Sequence, residues 1–336
     1  MIEKRLFHPV ASTEDLARRD GAAMAVRLLG EDLVVWRDGE GRVRAFADRC
    51  PHRGAALSMG RVVDGTIECP YHGWRMRGDG RCVRVPAVPA FEPPAHHRAC
   101  AYEAREAYGL VWVALTEPSA LDADARVPPF AAESDDRLRK VTSGPYDVTT
   151  SAPRIVENFL DMSHFGFVHD DYLGSRDRTE QRPYEVAATP TGFLATGCFA
   201  WQPRSSIHAT GGAMVEYTYE VNAPYTAILT KIPEQGAVGL AGFRESIALF
   251  VCPIEPERSR VWIRMAMTRS DDPDQALRDF QDTIFGQDQP VLESQRPRRL
   301  PITAQAPVRE LSSAADRSAT AYRRYLLERG ITFGIC

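Results

Sequence analysis

Cys50-Pro51-His52-Arg53-Gly54, followed by Cys69-Pro70-Tyr71-His72-Gly73-Trp74, is the stretch on which the reading of this chain turns. Each segment offers one thiol and one imidazole with a glycine close behind, and sixteen residues separate His52 from Cys69. A mixed set of two Cys and two His on two loop tips fits a 2Fe-2S cluster in which His replaces Cys on one of the irons. Neutral imidazoles leave less negative charge on such a cluster than thiolates do, which raises its reduction potential. The chain is therefore expected to move electrons.

Structural zinc also takes Cys2His2 sets, but zinc fingers usually pair Cys with Cys and His with His. Here each loop supplies one of each, with one residue between the ligands in the first loop and two in the second. Ligand type and order favour the Rieske cluster over zinc.

Around these loops, Met24–Leu29, Leu33–Trp36 and Val43–Ala47 are short apolar stretches broken by the turn Asp38-Gly39-Glu40-Gly41, which reads as antiparallel strands. Tyr108–Leu115 reads as another strand, and the proline-rich Val85–Pro94 as an extended surface connection. Residues 1–116 are thus expected to form an all-β Rieske domain. Residues 117–130, with Pro118, Pro128 and Pro129, read as a linker to a domain over 131–336.

In that second half, Pro153–Phe165 has helical apolar spacing at Ile155, Phe159 and Met162, with Pro153 suited to a first turn. Residues 193–268 read as strands over Met214–Val221, Tyr225–Lys231, Ile247–Cys252 and Val261–Met267. Asp274–Gln295 and Ser313–Arg329 read as helices, with Gly330 as C-cap. The fold class expected is α+β, an antiparallel sheet with helices around it.

A second metal site is expected in Glu157–His169. Asn158, Asp161 and His164 recur at i, i+3 and i+6, on adjoining sectors of a helical face. His169 stands about 140° further round an ideal helix, so Gly166 is expected to break the helix and let His169 return. Two imidazoles and a carboxylate would make the facial triad of a non-haem Fe(II) oxygenase. Asp288 is the chosen carboxylate, though spacing alone does not separate it from Asp282. Pro290 is expected to bend its helix or start a new segment. Phe159, Phe165, Tyr172, His208 and Phe250 are candidates for a substrate pocket.

Taken together, Cys50–Ser58, Cys69–Trp74, Glu157–His169 and the run Asp288-Gln289-Pro290-Val291-Leu292-Glu293-Ser294-Gln295 resemble the oxygenase (α) component of the Rieske non-haem iron oxygenases. The resemblance spans essentially the whole chain and is greatest to the compact O- and N-demethylating branch. It implies that Cys50 and Cys69 bind one cluster iron and His52 and His72 the other. It implies a mononuclear iron on His164, His169 and Asp288, with Asn158 beside it but not a tight ligand. Asp161 is implied to bridge His164 to His72 of a neighbouring subunit in a head-to-tail homotrimer. The activity implied is hydroxylation or O-/N-demethylation of a small aromatic or heteroaromatic molecule with O2. The electrons would come from an NAD(P)H-dependent reductase or ferredoxin. The chain carries no Gly-x-Gly-x-x-Gly fingerprint after a strand, so nicotinamide and flavin are expected on that partner. Alternatives from the sequence are a ring-hydroxylating dioxygenase forming cis-diols, a pure electron carrier, and a zinc-containing binding module.

Composition narrows the remaining classes. A net charge of −4 without a basic block gives no support for nucleic-acid binding. No apolar run of about eighteen residues exists, so a membrane span is not expected, and the first residues lack the apolar core of a signal peptide. Beyond Cys50 and Cys69, five cysteines are scattered along the chain. Their odd number fits free thiols and a cytoplasmic location.

Overall fold

The computed structural model describes residues 1–19 and 22–336. It divides into two compact units, Met1–Val127 and Pro128–Cys336.

In the first unit, β1 (His8–Ser12) leads into the one-turn helix α1 (Thr13–Ala17), and β2 (Met24–Leu28), β3 (Glu31–Arg37) and β4 (Val43–Ala47) follow as hairpins. The short β5 (Arg61–Val63), β6 (Thr66–Glu68), β7 (Arg75–Met76) and β8 (Cys82–Arg84) form a separate four-stranded sheet. Then β9 (Ala101–Ala107) and β10 (Leu110–Ala114) return to the first sheet, whose order is β1-β10-β9-β4-β3-β2, antiparallel throughout. The four-stranded sheet was not legible in the sequence, because strands of two or three residues carry no period to read. A core of Val34, Trp36, Phe46, Leu57, Ile67 and Met76 includes both Cys50 and Cys69.

The second unit is built on one antiparallel sheet of seven strands. Its strands are β11 (Leu138–Val148), β12 (Glu185–Ala188), β13 (Phe193–Gln202), β14 (Ala213–Ala223), β15 (Thr226–Pro233), β16 (Glu245–Glu255) and β17 (Arg258–Thr268), in the order β11-β17-β16-β15-β14-β13-β12. The last four match the expected strands, each running somewhat longer. Side chains alternate between faces. Registry therefore aligns Tyr219, Leu229, Ile247 and Met265 as one transverse row, and Val221, Ala227, Leu249 and Ile263 as the next.

Four helices accompany this sheet: α2 (Ala152–Phe159), α3 (Phe165–Val168), α4 (Asp274–Ser294) and α5 (Arg317–Glu328). Pro153 lies in the first turn of α2 as expected. That helix stops at Phe159, however, not at 165. The Asp161 carboxylate accepts from the amides of Ser163 (2.9 Å) and His164 (3.1 Å), a local turn that competes with further helix. Gly166, expected to be the break, sits inside α3. A Cβ there would lie 2.8 Å from the Ser175 carbonyl oxygen, and one on Gly174 would lie 2.5 Å from the Gly166 amide nitrogen. The two glycines thus permit a backbone crossing rather than a turn. Pro290 neither ends nor restarts α4, which runs through it. The carbonyl it leaves without a donor belongs to exposed Gly286, where water can serve. Gly330, at φ +68°, closes α5 with a Schellman pair: its amide bonds Leu327 O and that of Ile331 bonds Leu326 O, both at 3.0 Å.

Candidate metal centres and substrate cavity

The two Cys/His segments fold as near copies of one another. The amide of Cys50 bonds Ala55 O at 2.8 Å, and that of Cys69 bonds Trp74 O at 2.8 Å. The amide of Gly54 bonds Cys50 O at 2.9 Å, and that of Gly73 bonds Cys69 O at 3.1 Å. Both glycines sit at positive φ, +75° and +68°, where a side chain would be strained. The fifth position of each loop is therefore glycine for the same backbone reason, although His is third in one loop and fourth in the other.

Both thiols are buried, and His72 is exposed. The His52 and His72 rings lie 4.6 Å apart, and His52 stacks on Trp74 at 4.4 Å with planes 4° apart. Burial, with the adjacent Cys69 thiol adding to it, pushes the Cys50 thiol up to about 11. His52 Nδ1 is buried and meets no hydrogen-bond partner among the described residues. An imidazole nitrogen so placed needs something to bind, and two thiols beside two imidazoles are the donor set of a Rieske cluster. The residues fit that group.

In the second unit, residues from α2, from either end of α3 and from α4 converge. His164 Nδ1 pairs with Asp161 Oδ2 at 2.8 Å, and His169 Nδ1 with Gln287 Oε1 at 2.8 Å. Both acceptors require the proton on Nδ1, which leaves the Nε2 lone pairs free. Those two nitrogens stand 3.2 Å apart, and Asp288 Oδ1 lies 3.5 Å from one and 3.3 Å from the other. Three lone-pair donors at such separations repel unless a cation lies among them. Adjacent corners of an octahedron around a first-row divalent ion are about 3 Å apart, so the set fits the three-ligand face of non-haem iron. Asn158 Nδ2 donates to Asp288 Oδ1 at 3.2 Å, fixing the carboxylate rather than competing with it. Burial pushes Asp161 upward, but its bonds to His164 and Ser163 outweigh this and hold it below the usual carboxylate range. The rival carboxylate, Asp282, is exposed and accepts from the Tyr146 hydroxyl, away from both imidazoles.

Behind the triad, Glu157 takes two bonds from Arg323, at 2.5 and 2.9 Å, and Glu310 ties Arg323 to buried Arg154. This network anchors α2. Gln287 and the network escaped the sequence reading: a lone Gln and scattered Arg/Glu pairs have no spacing that marks them.

A cavity of about 80 Å³ opens on the triad, walled by Ile155, Phe159 and Phe165, by Leu229, Ile247, Leu249 and Ile263 from the sheet, and by Phe280, Ile284 and Phe285 from α4. Of the pocket candidates, Phe159 and Phe165 line it. Phe250 points to the opposite face of β16, since Leu249 faces the cavity. Tyr172 is set back behind Phe280, ring centroids 6.3 Å apart. His208 lines a smaller adjoining space.

A cavity of this kind against two imidazoles and a carboxylate, in a chain that also presents a 2Fe-2S donor set, defines an iron-dependent oxygenase of the cluster-fed kind. Comparison with known proteins agrees. Residues 7–99 match the Rieske [2Fe-2S] domain, and residues 148–329 the vanillate O-demethylase oxygenase C-terminal domain. Methylxanthine N1-demethylase NdmA of Pseudomonas putida is 32% identical over 97% of this chain and 88% of its own. The solved structure of that enzyme with caffeine superposes with a TM-score of 0.84 at 30% identity, over 97% of this chain and 90% of the other. Dicamba monooxygenase bound to 3,6-dichlorosalicylic acid, at 22% identity and TM-score 0.80 over 97% and 96% of the two chains, shares the fold. This chain belongs to the Rieske non-haem iron oxygenases, as a terminal oxygenase component. The family implies a reductase partner and O2 as co-substrate. No helix among the described residues is long and apolar enough to cross a membrane, and no cysteine is in a disulfide.

Proposed function

We propose that this oxygenase removes a methyl group, by preference N-linked, from a small neutral heteroaromatic molecule. The observation that carries the reading is the mainly apolar cavity whose wall includes His164, His169 and Asp288. A flat ring held between Phe159, Phe285 and the sheet can present a methyl carbon to that triad. Similarity to methylxanthine demethylases over nearly the full chain supports N-demethylation. In this reading His164, His169 and Asp288 hold the iron, and Cys50, Cys69, His52 and His72 hold the cluster. When bound, the iron supplies the site for O2 activation and the cluster relays the electrons. Asp161 and Gln287 keep the two imidazoles in the tautomer that leaves Nε2 free, and Asn158 steadies Asp288. The apolar walls keep bulk water from the reacting carbon.

The balance is one O2, one NAD(P)H and one proton per methyl group. One oxygen atom enters the methyl carbon and the other leaves as water. The resulting carbinolamine breaks its C–N bond to release formaldehyde and the N–H product. NAD(P)H and flavin reside on the reductase. We extend the proposal to a head-to-tail homotrimer in which Asp161 meets His72 of the partner subunit, and to a cytoplasmic location. The test is a substrate screen with a matched reductase, following NADH consumption and formaldehyde together. Equimolar formaldehyde is expected with N-methyl heteroaromatics; a cis-diol without formaldehyde would instead assign ring dihydroxylation.

A further inference from the structure

One row of the catalytic sheet breaks the apolar pattern of the cavity. Directly beyond the Tyr219–Leu229–Ile247–Met265 row, registry aligns Tyr217, Lys231, Glu245 and Met267. Lys231 is one of only three lysines in the chain and is 5% exposed; Glu245, opposite it, is 6% exposed. Lys231 Nζ lies 2.7 Å from Glu245 Oε2 and donates to Ser205 O at 2.8 Å. An ammonium has three N–H donors, so one remains. Tyr217 is fully buried, and its hydroxyl accepts from Gln202 Nε2 at 2.6 Å, which leaves its own O–H to give. Burial pushes the Tyr217 phenol well above its usual range, so it stays a neutral donor. Tyr217 and Lys231 both line the cavity that holds the triad. At Lys231, Phe280 and Gln281 this cavity meets the adjoining space of about 20 Å³ that contains Glu245 and His208.

Burying an ammonium and a carboxylate together costs more than burying two apolar residues of the same size. Lys231 lines the same cavity as the triad, with Glu245 beside it, so a ring bound there meets both. The charges of the pair cancel. A neutral oxygen acceptor can take the spare donors without adding charge, whereas a carboxylate would have to sit beside Glu245 and be desolvated there.

We propose that Lys231, balanced by Glu245 and flanked by Tyr217, is a carbonyl-recognition site that selects neutral lactam-type substrates over aryl carboxylates. The inference deepens the function proposed above and rests on it. Loss of the demethylation reading would show as turnover without formaldehyde, whereas loss of this one would show only in the ranking of ligands.

The test is equilibrium calorimetry on the holoenzyme without electron donor. The probes are neutral N-methyl lactams from N-methyluracil to N-methylpurinedione size, set against methoxybenzoates. Wild type is expected to prefer the lactams. Lys231→Met should weaken lactam binding by about 10–100-fold while iron content and cluster spectrum persist. Because that variant leaves Glu245 buried and alone, the double variant Lys231→Met/Glu245→Leu removes both charges and should show the same loss in a protein that folds. Glu245→Gln leaves an unbalanced ammonium and should raise methoxybenzoate binding about tenfold. Wild-type preference for methoxybenzoate, absence of binding by every lactam, or unchanged lactam affinity in the double variant overturns the proposal.

Discussion

The cluster loops and the iron triad gather their ligands in opposite ways. All four cluster ligands fall within 23 residues, Cys50 to His72, on two loops with the same backbone hydrogen bonds. The triad draws His164 and His169 from the ends of a four-residue helix and Asp288 from α4, far along the chain. The first site is a property of local backbone geometry. The second exists only when α2, α3, α4 and the sheet have packed. Local sites tolerate distant change; assembled sites inherit the stability of everything that positions them.

Removing one ligand from each side breaks the comparison most directly. Asp288→Ala should lose the mononuclear iron and lower turnover by about a thousandfold or more, with the visible cluster spectrum intact. Cys69→Ser should bleach that spectrum while iron on the triad remains. Iron analysis and absorbance on the same samples decide it, and mutual loss of both metals would contradict independent sites. Asp282→Ala should change neither.

A smaller effect is expected at Asp161. Asp161→Asn keeps only one of the two oxygens, which accept separately from the Ser163 amide (Oδ1) and from His164 (Oδ2), and it loses the charge facing His164 Nδ1. Turnover should fall about a hundredfold with both metal centres loaded. Full activity at full iron content would remove Asp161 from the electron path. Next in size is Gln287→Leu, which takes the acceptor from His169 Nδ1. Iron affinity should weaken by about 10–100-fold, measured by chelator competition, and the cluster should not respond.

Acid sharpens the contrast through a residue that belongs to neither metal site. Burial lowers His8, in β1 of the first unit, from 6.5 to about 4. Between those values the unfolded chain takes up a proton that the folded unit does not. Stability of Met1–Val127 therefore rises with pH across the window and is lost as pH falls from about 6.5 toward 4, by about 3 kcal/mol. His8→Gln should flatten that slope in denaturant titrations read by the tryptophans, and an unchanged slope would assign the sensitivity to another group.

The same contrast explains what the sequence disclosed. The cluster loops were readable because residue type, order and a positive-φ glycine recur at short spacing. Asn158, Asp161, His164 and His169 were also readable, but through the wrong intermediate: a continuous helix to 165 with a break at Gly166. The chain instead leaves the helix at Phe159, because a side-chain turn on Asp161 wins over helix propagation, and Gly166 serves a backbone crossing. Choosing Asp288 over Asp282 required the resemblance, since which face of α4 meets the triad is decided by packing on β11, where Tyr146 stacks on Phe285. Strands β11 and β12 were missed, and β13 fell inside the strand-rich region 193–268 without bounds of its own. Their apolar residues alternate with polar ones too irregularly to show a two-residue period. Gln287, Lys231 and Glu245 matter through cross-chain partners that no local pattern announces.

The last residues of the chain lie against the start of α2. Gly334, at φ +81°, comes so near that a Cβ on it would stand 2.9 Å from Pro153 Cδ, and Leu300 donates to the Gly334 carbonyl while accepting from the Cys336 amide, both at 2.9 Å. Arg154, one residue on, holds the carbonyl of Pro297 at 2.8 Å. Residues 333–336 are thus a wedge under the helix that presents Asn158 to Asp288. Deleting residues 333–336 would be an active-site mutation in effect, first visible as iron that washes out on a desalting column.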